Sequence, residues 1–171
     1  SRLGGVNSPW QILRTNSHQN AYLVTTSGKA AAISSLSIPS QVQFEEGKKA
    51  SQISPLGDED FVQAIFTVPM ERDELPERYV VSVSRKGMIK RSLVTELPGA
   101  SASSFVLART NDDDELLTVF LTKGGQDILI TTANGMSIRF NEEDVRPMGL
   151  IAAGVNGIKL KDNDYVIGAS V

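Results

Sequence analysis

The side chains able to act on another molecule are mostly basic, and they recur along the chain. Arg85-Lys86 and Lys90-Arg91 flank Gly87-Met88-Ile89, Lys29 follows Gly28, and Lys48-Lys49 follow Gly47. Arg139, Arg146 and Lys159 continue the series. Lys and Arg spaced along a path neutralise successive phosphates, which gives affinity for duplex DNA without reading its sequence. Aromatic residues are not interleaved with these cations, which argues against a single-strand binder that stacks bases. Catalytic sets are missing. The one histidine, His18, sits in a polar Asn-Ser-His-Gln-Asn stretch, and cysteine is absent. No His-based triad, thiolate metal site or disulfide framework can be assembled. Tyr22, Tyr79 and Tyr165 lie beside apolar neighbours, as packing residues rather than nucleophiles. The acidic run Asp112 to Glu115 lacks the glycine and spacing of a calcium loop. Gly124-Gly125 precedes a strand and not a helix, so it reads as a turn and not a phosphate loop. No catalytic residue, cofactor or metal is expected.

Charge distribution qualifies the basic series. The 171 residues carry a net charge of −3, whereas a basic domain is the usual footprint of a nucleic-acid binder. Acidic residues fall in short clusters, at Glu45-Glu46, Asp58 to Asp60, Asp112 to Glu115 and Glu142 to Asp144. This segregation leaves room for one positive face on an acidic protein. Hydrophobic residues make up 40% and charged residues 22%, the balance of a globular domain. No apolar run reaches the length of a membrane span, and Ser1 to Trp10 lack the features of a secretory signal. A cytoplasmic protein with no membrane partner is expected.

The elements that carry these residues read as all-β. Runs such as Tyr79-Val80-Val81-Ser82-Val83 and Leu116 to Leu121 are short, β-branched or aromatic, and broken by Gly, Pro, Asn and Asp. Three hairpins repeat one pattern, with glycine at Gly28, Gly87 and Gly135. The glycine answers the need for φ > 0 at a tight turn. About 30 residues after each glycine an acidic residue precedes an apolar strand, at Asp60-Phe61, Glu115-Leu116 and Asp164-Tyr165. A period near 50 residues with several strands per unit predicts an array of blades. The units run over about 20–68, 79–122 and 127–171. Residues 1–19 read as the last strand of a preceding unit, at Trp10 to Leu13, and a linker. Met70 to Leu75 reads as a connector.

The stretch Val80 to Arg91 resembles the blade hairpin of the A subunits of gyrase and topoisomerase IV. Val145-Arg146-Pro147-Met148-Gly149 through Gly154-Val155-Asn156-Gly157-Ile158-Lys159-Leu160, followed by Asp164-Tyr165-Val166, resembles the same family. The resemblance covers the chain from Trp10 onward. It implies an all-β fold, a β-pinwheel or propeller-like ring of four-stranded blades, here of about three units and therefore incomplete. It also implies a C-terminal module that wraps duplex DNA on a basic outer rim. The wrap directs ATP-dependent negative supercoiling by a type II topoisomerase whose cleaving tyrosine lies elsewhere. The implied partners are double-stranded DNA, the gyrase B subunit, with it the rest of the gyrase A subunit. The chain departs from the family pattern at Asn156, where Arg is common, and in lacking the basic heptapeptide that marks gyrase.

The residues expected to face DNA are Lys29, Lys48, Lys49, Arg85, Lys86, Lys90, Arg91, Arg139, Arg146 and Lys159. Neighbours on a strand point to opposite faces, so one of Lys90 and Arg91 is expected outward. Unpaired sheet edges at the ends of a short array predict that the chain pairs with itself or is only weakly stable. The alternatives are a topoisomerase IV module and a propeller that serves as a protein-interaction platform. The Gly-Val and Gly-Ile-Lys-Leu pattern favours gyrase.

Overall fold

Val, Ile, Ala and Tyr dominate the central strands, and in the first two repeats both strand faces are buried. The computed structural model describes residues 11–40, 47–71 and 77–171. The first repeat holds β1 (Gln19–Thr25), β2 (Lys29–Ser34), the one-turn helix α1 (Ala50–Ile53) and β3 (Val62–Pro69). The second holds β4 (Tyr79–Ser84), β5 (Met88–Leu93), β6 (Phe105–Val106) and β7 (Leu116–Thr122). The third holds β8 (Asp127–Thr132), β9 (Ser137–Asn141), β10 (Val155–Asn156) and β11 (Val166–Ser170). A short 3-10 turn follows the second hairpin strand of each repeat, at Ser35–Ser37, Val94–Glu96 and Glu142–Asp144.

All pairing within these sheets is antiparallel, and the sheets are out of phase with the repeats. Their strand orders are β3-β1-β2-β6, β10-β5-β4-β7 and β11-β8-β9. Each unit supplies a hairpin and the long strand that flanks it. The fourth strand comes from the following unit: β6 pairs with β2, and β10 pairs with β5. The third sheet has three strands, not the four expected, because no described segment lies along β9. Periodicity in sequence registers the repeat but is blind to which sheet a two-residue strand joins.

The hairpins turn as their glycines require. Gly28, Gly87 and Gly135 have φ of +77, +82 and +81. Each donates its N–H to the residue three before it, at 3.0, 3.1 and 3.0 Å. Asn163 is the only described non-glycine with positive φ, so Asn134 does not share the left-handed conformation of Gly135.

Two cores lie between successive sheets. Tyr22, Val24, Ala30 and Phe66 of the first sheet meet Val80, Leu107, Leu116 and Val119. Val81, Val83 and Ile89 of the second meet Ile128, Ile130, Ile158 and Val166. Tyr22 also stacks on Phe66 at 5.0 Å and donates its hydroxyl to the Pro98 carbonyl at 2.6 Å. On the other face of the first sheet, Ala21, Leu23, Ala31 and Ile33 pack under Leu56, with Ile38 and Ile53 beside them.

Two expectations are corrected. Residues 11–16 form no strand, and Trp10 lies outside the described residues. Gln11 instead brackets Ile65 on β3 with its side-chain amide, donating to the carbonyl at 2.9 Å and accepting from the N–H at 3.3 Å. Tyr165 precedes β11 and is exposed, whereas Tyr22 and Tyr79 are buried in strands as expected. The apolar residue that continues into β11 is Val166, so the tyrosine falls in the preceding loop. Of the expected connector, residues 72–76 lie outside the described set. No described helix is long and apolar enough to cross a membrane.

Candidate nucleic-acid interface

Backbone hydrogen bonds at the hairpin turns define which residues are equivalent. The N–H groups of Thr26, Arg85 and Ala133 donate to the carbonyls of Phe61, Glu115 and Tyr165. The repeated acidic residue is therefore Asp60, Asp114 and Asp164, one position before Glu115 in the second unit. Asp114 accepts from the Lys86 N–H at 2.9 Å, and Asp164 from the Asn134 N–H at 3.0 Å. Asp60 accepts from the Gly57 N–H at 2.7 Å and from Lys29 Nζ at 2.6 Å. The Lys29 bond holds the Asp60 carboxyl below its usual range. These carboxylates tie the turn to the loop ahead of the flanking strand. Four consecutive acidic residues from Asp112 hid the true register, because any of them satisfies a pattern that asks only for a negative charge.

The basic residues at the turns are largely engaged. Lys29 pairs with Asp60, Arg85 with Glu115 at 3.4 Å, and Lys86 with Asp113. The bond from Lys86 holds the Asp113 carboxyl below its ordinary value. Arg139 lies 3.6 Å from Asp127 and is well exposed. The pairs of Arg85, Lys86 and Arg139 are surface pairs, which contribute little to stability and are easily exchanged for another anion, whereas Lys29–Asp60 is partly buried.

Lys90 and Arg91 do point to opposite faces of β5, but neither is outward. Both are buried, because each sheet face is covered by a neighbouring unit. The Lys90 ammonium donates to the Leu107 carbonyl at 2.6 Å, to the Leu150 carbonyl and to the Gly149 carbonyl at 3.4 Å. Burial pulls its pKa down to about 8, with Glu96 opposing from a distance. Arg91 lies 4.3 Å over the Tyr79 ring and 3.5 Å from Glu142. Both residues therefore hold units together in this structure. The run of basic residues in sequence conceals this, since alternation alone says which faces differ and not which are covered.

The turn hydrogen bonds bring out a cation that sequence reading missed. Leu107 N–H donates to the Gly28 carbonyl at 2.9 Å, and Gly157 N–H to the Gly87 carbonyl at 2.8 Å. Leu107 and Gly157 are thus equivalent, which makes Arg109 the counterpart of Lys159. Both are exposed, and neither takes part in an ion pair among the described residues. They stand one unit apart, each just past the strand that docks on the preceding hairpin. Lys161 lies two residues beyond Lys159, also exposed. Arg146, Lys48 and Lys49 are exposed without an ion pair among the described residues, with Lys49 at the N-terminus of α1. Arg109 was legible only by aligning the repeats on Leu107 and Gly157, which share no residue type.

Comparison with known proteins places the chain. A family described as "DNA gyrase C-terminal domain, beta-propeller" matches residues 78–123 and 126–171, the second and third units. The DNA gyrase A subunit of Haloquadratum walsbyi is 36% identical over 152 residues, covering 88% of this chain and 18% of that protein. The DNA gyrase A subunit of Clostridium acetobutylicum is 37% identical over 146 residues, covering 85% of this chain and 17% of that protein. The chain thus spans under a fifth of the length of these relatives. Among solved structures, the C-terminal domain of DNA topoisomerase IV superposes with a TM-score of 0.77 at 25% identity. The match covers 91% of this chain and 47% of that one. A DNA gyrase A C-terminal domain superposes with a TM-score of 0.71 at 21% identity, covering 91% and 48%.

Proposed function

The chain belongs to the DNA gyrase C-terminal domain family, and on that footing we propose that it binds and wraps duplex DNA without sequence preference. The observation that carries this reading is the repeated free cation, Arg109 in one unit and Lys159 in the next. A phosphate path needs positive charge at regular steps, and an array of like units provides the steps. Lys161, Arg146, Lys48 and Lys49 extend the path, and the paired Lys29, Arg85, Lys86 and Arg139 join it by exchanging a carboxylate for a phosphate.

The parent on this reading is a cytoplasmic type II topoisomerase, a gyrase, in which the module acts beside the B subunit, together with the remainder of the A subunit. There it would direct ATP-dependent negative supercoiling, with strand cleavage performed outside these residues. The gyrase reading is favoured over topoisomerase IV by the curated relatives quoted above, both of them from gyrases.

Fluorescence anisotropy with two unrelated duplexes across a salt titration tests the proposal. Equal affinity for both, falling steeply with salt, is the expected result. Absence of binding at low salt would sink it and favour a protein-interaction platform.

A further inference from the structure

The hairpin turns are strung together by backbone hydrogen bonds that run across all three units. Thr26 donates its N–H to the Phe61 carbonyl at 3.0 Å, and its own carbonyl accepts from Leu116 at 2.7 Å. Arg85 repeats this with Glu115 and Val166, at 2.8 Å each, and Ala133 donates to Tyr165 at 2.9 Å. One structural position, just ahead of each flanking strand, is therefore filled by Phe61, Glu115 and Tyr165 in turn. Phe61 and Tyr165 are exposed, at 74% and 47%. The exposure belongs to the position: the second unit has a neighbour on each side, and its Glu115 side chain is still 61% exposed.

A lone exposed apolar residue needs no explanation, but these two recur at one position, each beside cations. The first turn, bonded to Phe61, also receives the Leu107 N–H on Gly28 and the Thr110 hydroxyl on Ser27, which places Arg109 at the same turn. The second turn receives Val166 on Arg85 and Gly157 on Gly87, which brings Tyr165 and Lys159 to it. Phe61 and Arg85 also line one open hollow across the first joint, with Thr26, Gln63 and Glu115. Neither exposed ring stacks on another aromatic among the described residues. In sequence Phe61 follows the acidic run Asp58 to Asp60, and only the turn brings it to cations.

We propose that Phe61 and Tyr165 are DNA-contacting residues, apolar wedges that meet the minor groove where the duplex bends over the turns. The inference rests on the binding of duplex DNA proposed above. Proteins that bend DNA press apolar side chains into the minor groove in this way, while Lys and Arg hold the phosphates on either side. The two kinds of contact differ in their response to salt. A cation on a phosphate releases counterions, so its share of the affinity falls as salt rises. A ring against sugars and base edges releases none, and its share persists.

Fluorescence anisotropy with a duplex over a salt titration tests this for Phe61→Ser, Tyr165→Ser and the pair, with circular dichroism confirming the fold. Leu36→Ser is the control, since Leu36 is exposed on the turn at the far end of the first hairpin. The pair should weaken binding by about tenfold, the loss of part of one buried aromatic side chain, and leave the log–log salt slope unchanged. Energy transfer between dyes at the duplex ends should show a straighter duplex. Tyr165→Phe should bind as the natural chain does, because the ring and not the hydroxyl makes the contact. The single variants carry the test should the pair fail to fold. Duplex binding left intact by the pair would overturn the wedges alone. So would equal weakening by Leu36→Ser, a lowered salt slope, or a preference for single strands that the pair abolishes, which marks base stacking. No duplex binding by the natural chain would overturn the wedges and the binding reading together.

Discussion

Arg91 and Glu142 form the one ion pair among the described residues in which both side chains are buried, at 6% and 0% exposure. It crosses the joint between the second and third units. Glu142 also accepts from the Thr122 hydroxyl and from the Gln126 N–H at 3.0 Å. Removing the cation alone leaves a buried carboxylate without its counter-charge. Arg91→Met should lower stability by about 3–5 kcal/mol, as for a broken buried pair. The double variant Arg91→Met with Glu142→Gln should recover a good part of that loss. Urea unfolding of the single and double variants measures both. A single variant within about 0.5 kcal/mol of the natural chain, the range of ordinary surface changes, would remove the pair from the joint.

Gly28 and Gly135 share a conformation but not a neighbourhood. Alanine at either must adopt a left-handed backbone, which costs about 1–2 kcal/mol. At Gly28 the added carbon also collides with the Ala108 backbone, whereas at Gly135 it meets open space. Gly135→Ala should show the conformational loss alone. Gly28→Ala should lose clearly more and expose the first joint, read as faster amide exchange at Leu107 and Leu116, which bond to Gly28 and Thr26. Equal losses at the two sites would contradict the packed joint.

Lys90 should matter for stability and not for DNA. Lys90→Met leaves the Leu107 and Leu150 carbonyls without their donor, at about 1–3 kcal/mol for buried groups left unsatisfied. Its effect on duplex affinity should be negligible, since the ammonium is buried. Proton linkage gives a second signature. The folded ammonium releases its proton near pH 8, while an unfolded lysine holds it to about 10.4. Between these values the unfolded chain binds more protons, so this residue makes stability rise with pH. Unfolding midpoints measured through that window should climb relative to Lys90→Met; parallel curves would reject the assignment.

Arg109 and Lys159 should outrank the turn cations in DNA binding. Arg109→Glu with Lys159→Glu should weaken binding to every duplex alike and lower the log–log salt slope by about 0.9 for each phosphate no longer neutralised. Arg85→Ala with Lys86→Ala should do less, because those side chains must first leave Glu115 and Asp113. Circular dichroism checks folding beforehand. A larger effect from the turn pair would move the path to the hairpin tips.

The strands, the turn glycines and the threefold repeat were legible in the sequence, because alternation, β-branching and the need for φ > 0 are local properties. What escaped was set by partners distant in sequence. Lys90 and Arg91 sit in the most basic stretch of the chain, yet carbonyls at 107, 149 and 150 and a carboxylate at 142 draw them inside. Phe105–Val106 and Val155–Asn156 are too short to register as strands, and only the neighbouring hairpin gives them a ladder. Arg109 stood out once the joints aligned the repeats by their hydrogen bonds instead of their letters.

The lending of β6 and β10 to the preceding sheets makes the joints a form of interlocking. Each of the first two sheets is complete only when the unit after it is folded, and each glycine carbonyl at those joints is satisfied by that unit's backbone. Loosening one unit therefore strips a strand from its neighbour, and the loss propagates. An array joined by side-chain packing alone could melt blade by blade. This one is wired to melt as a single cooperative body across its two joints.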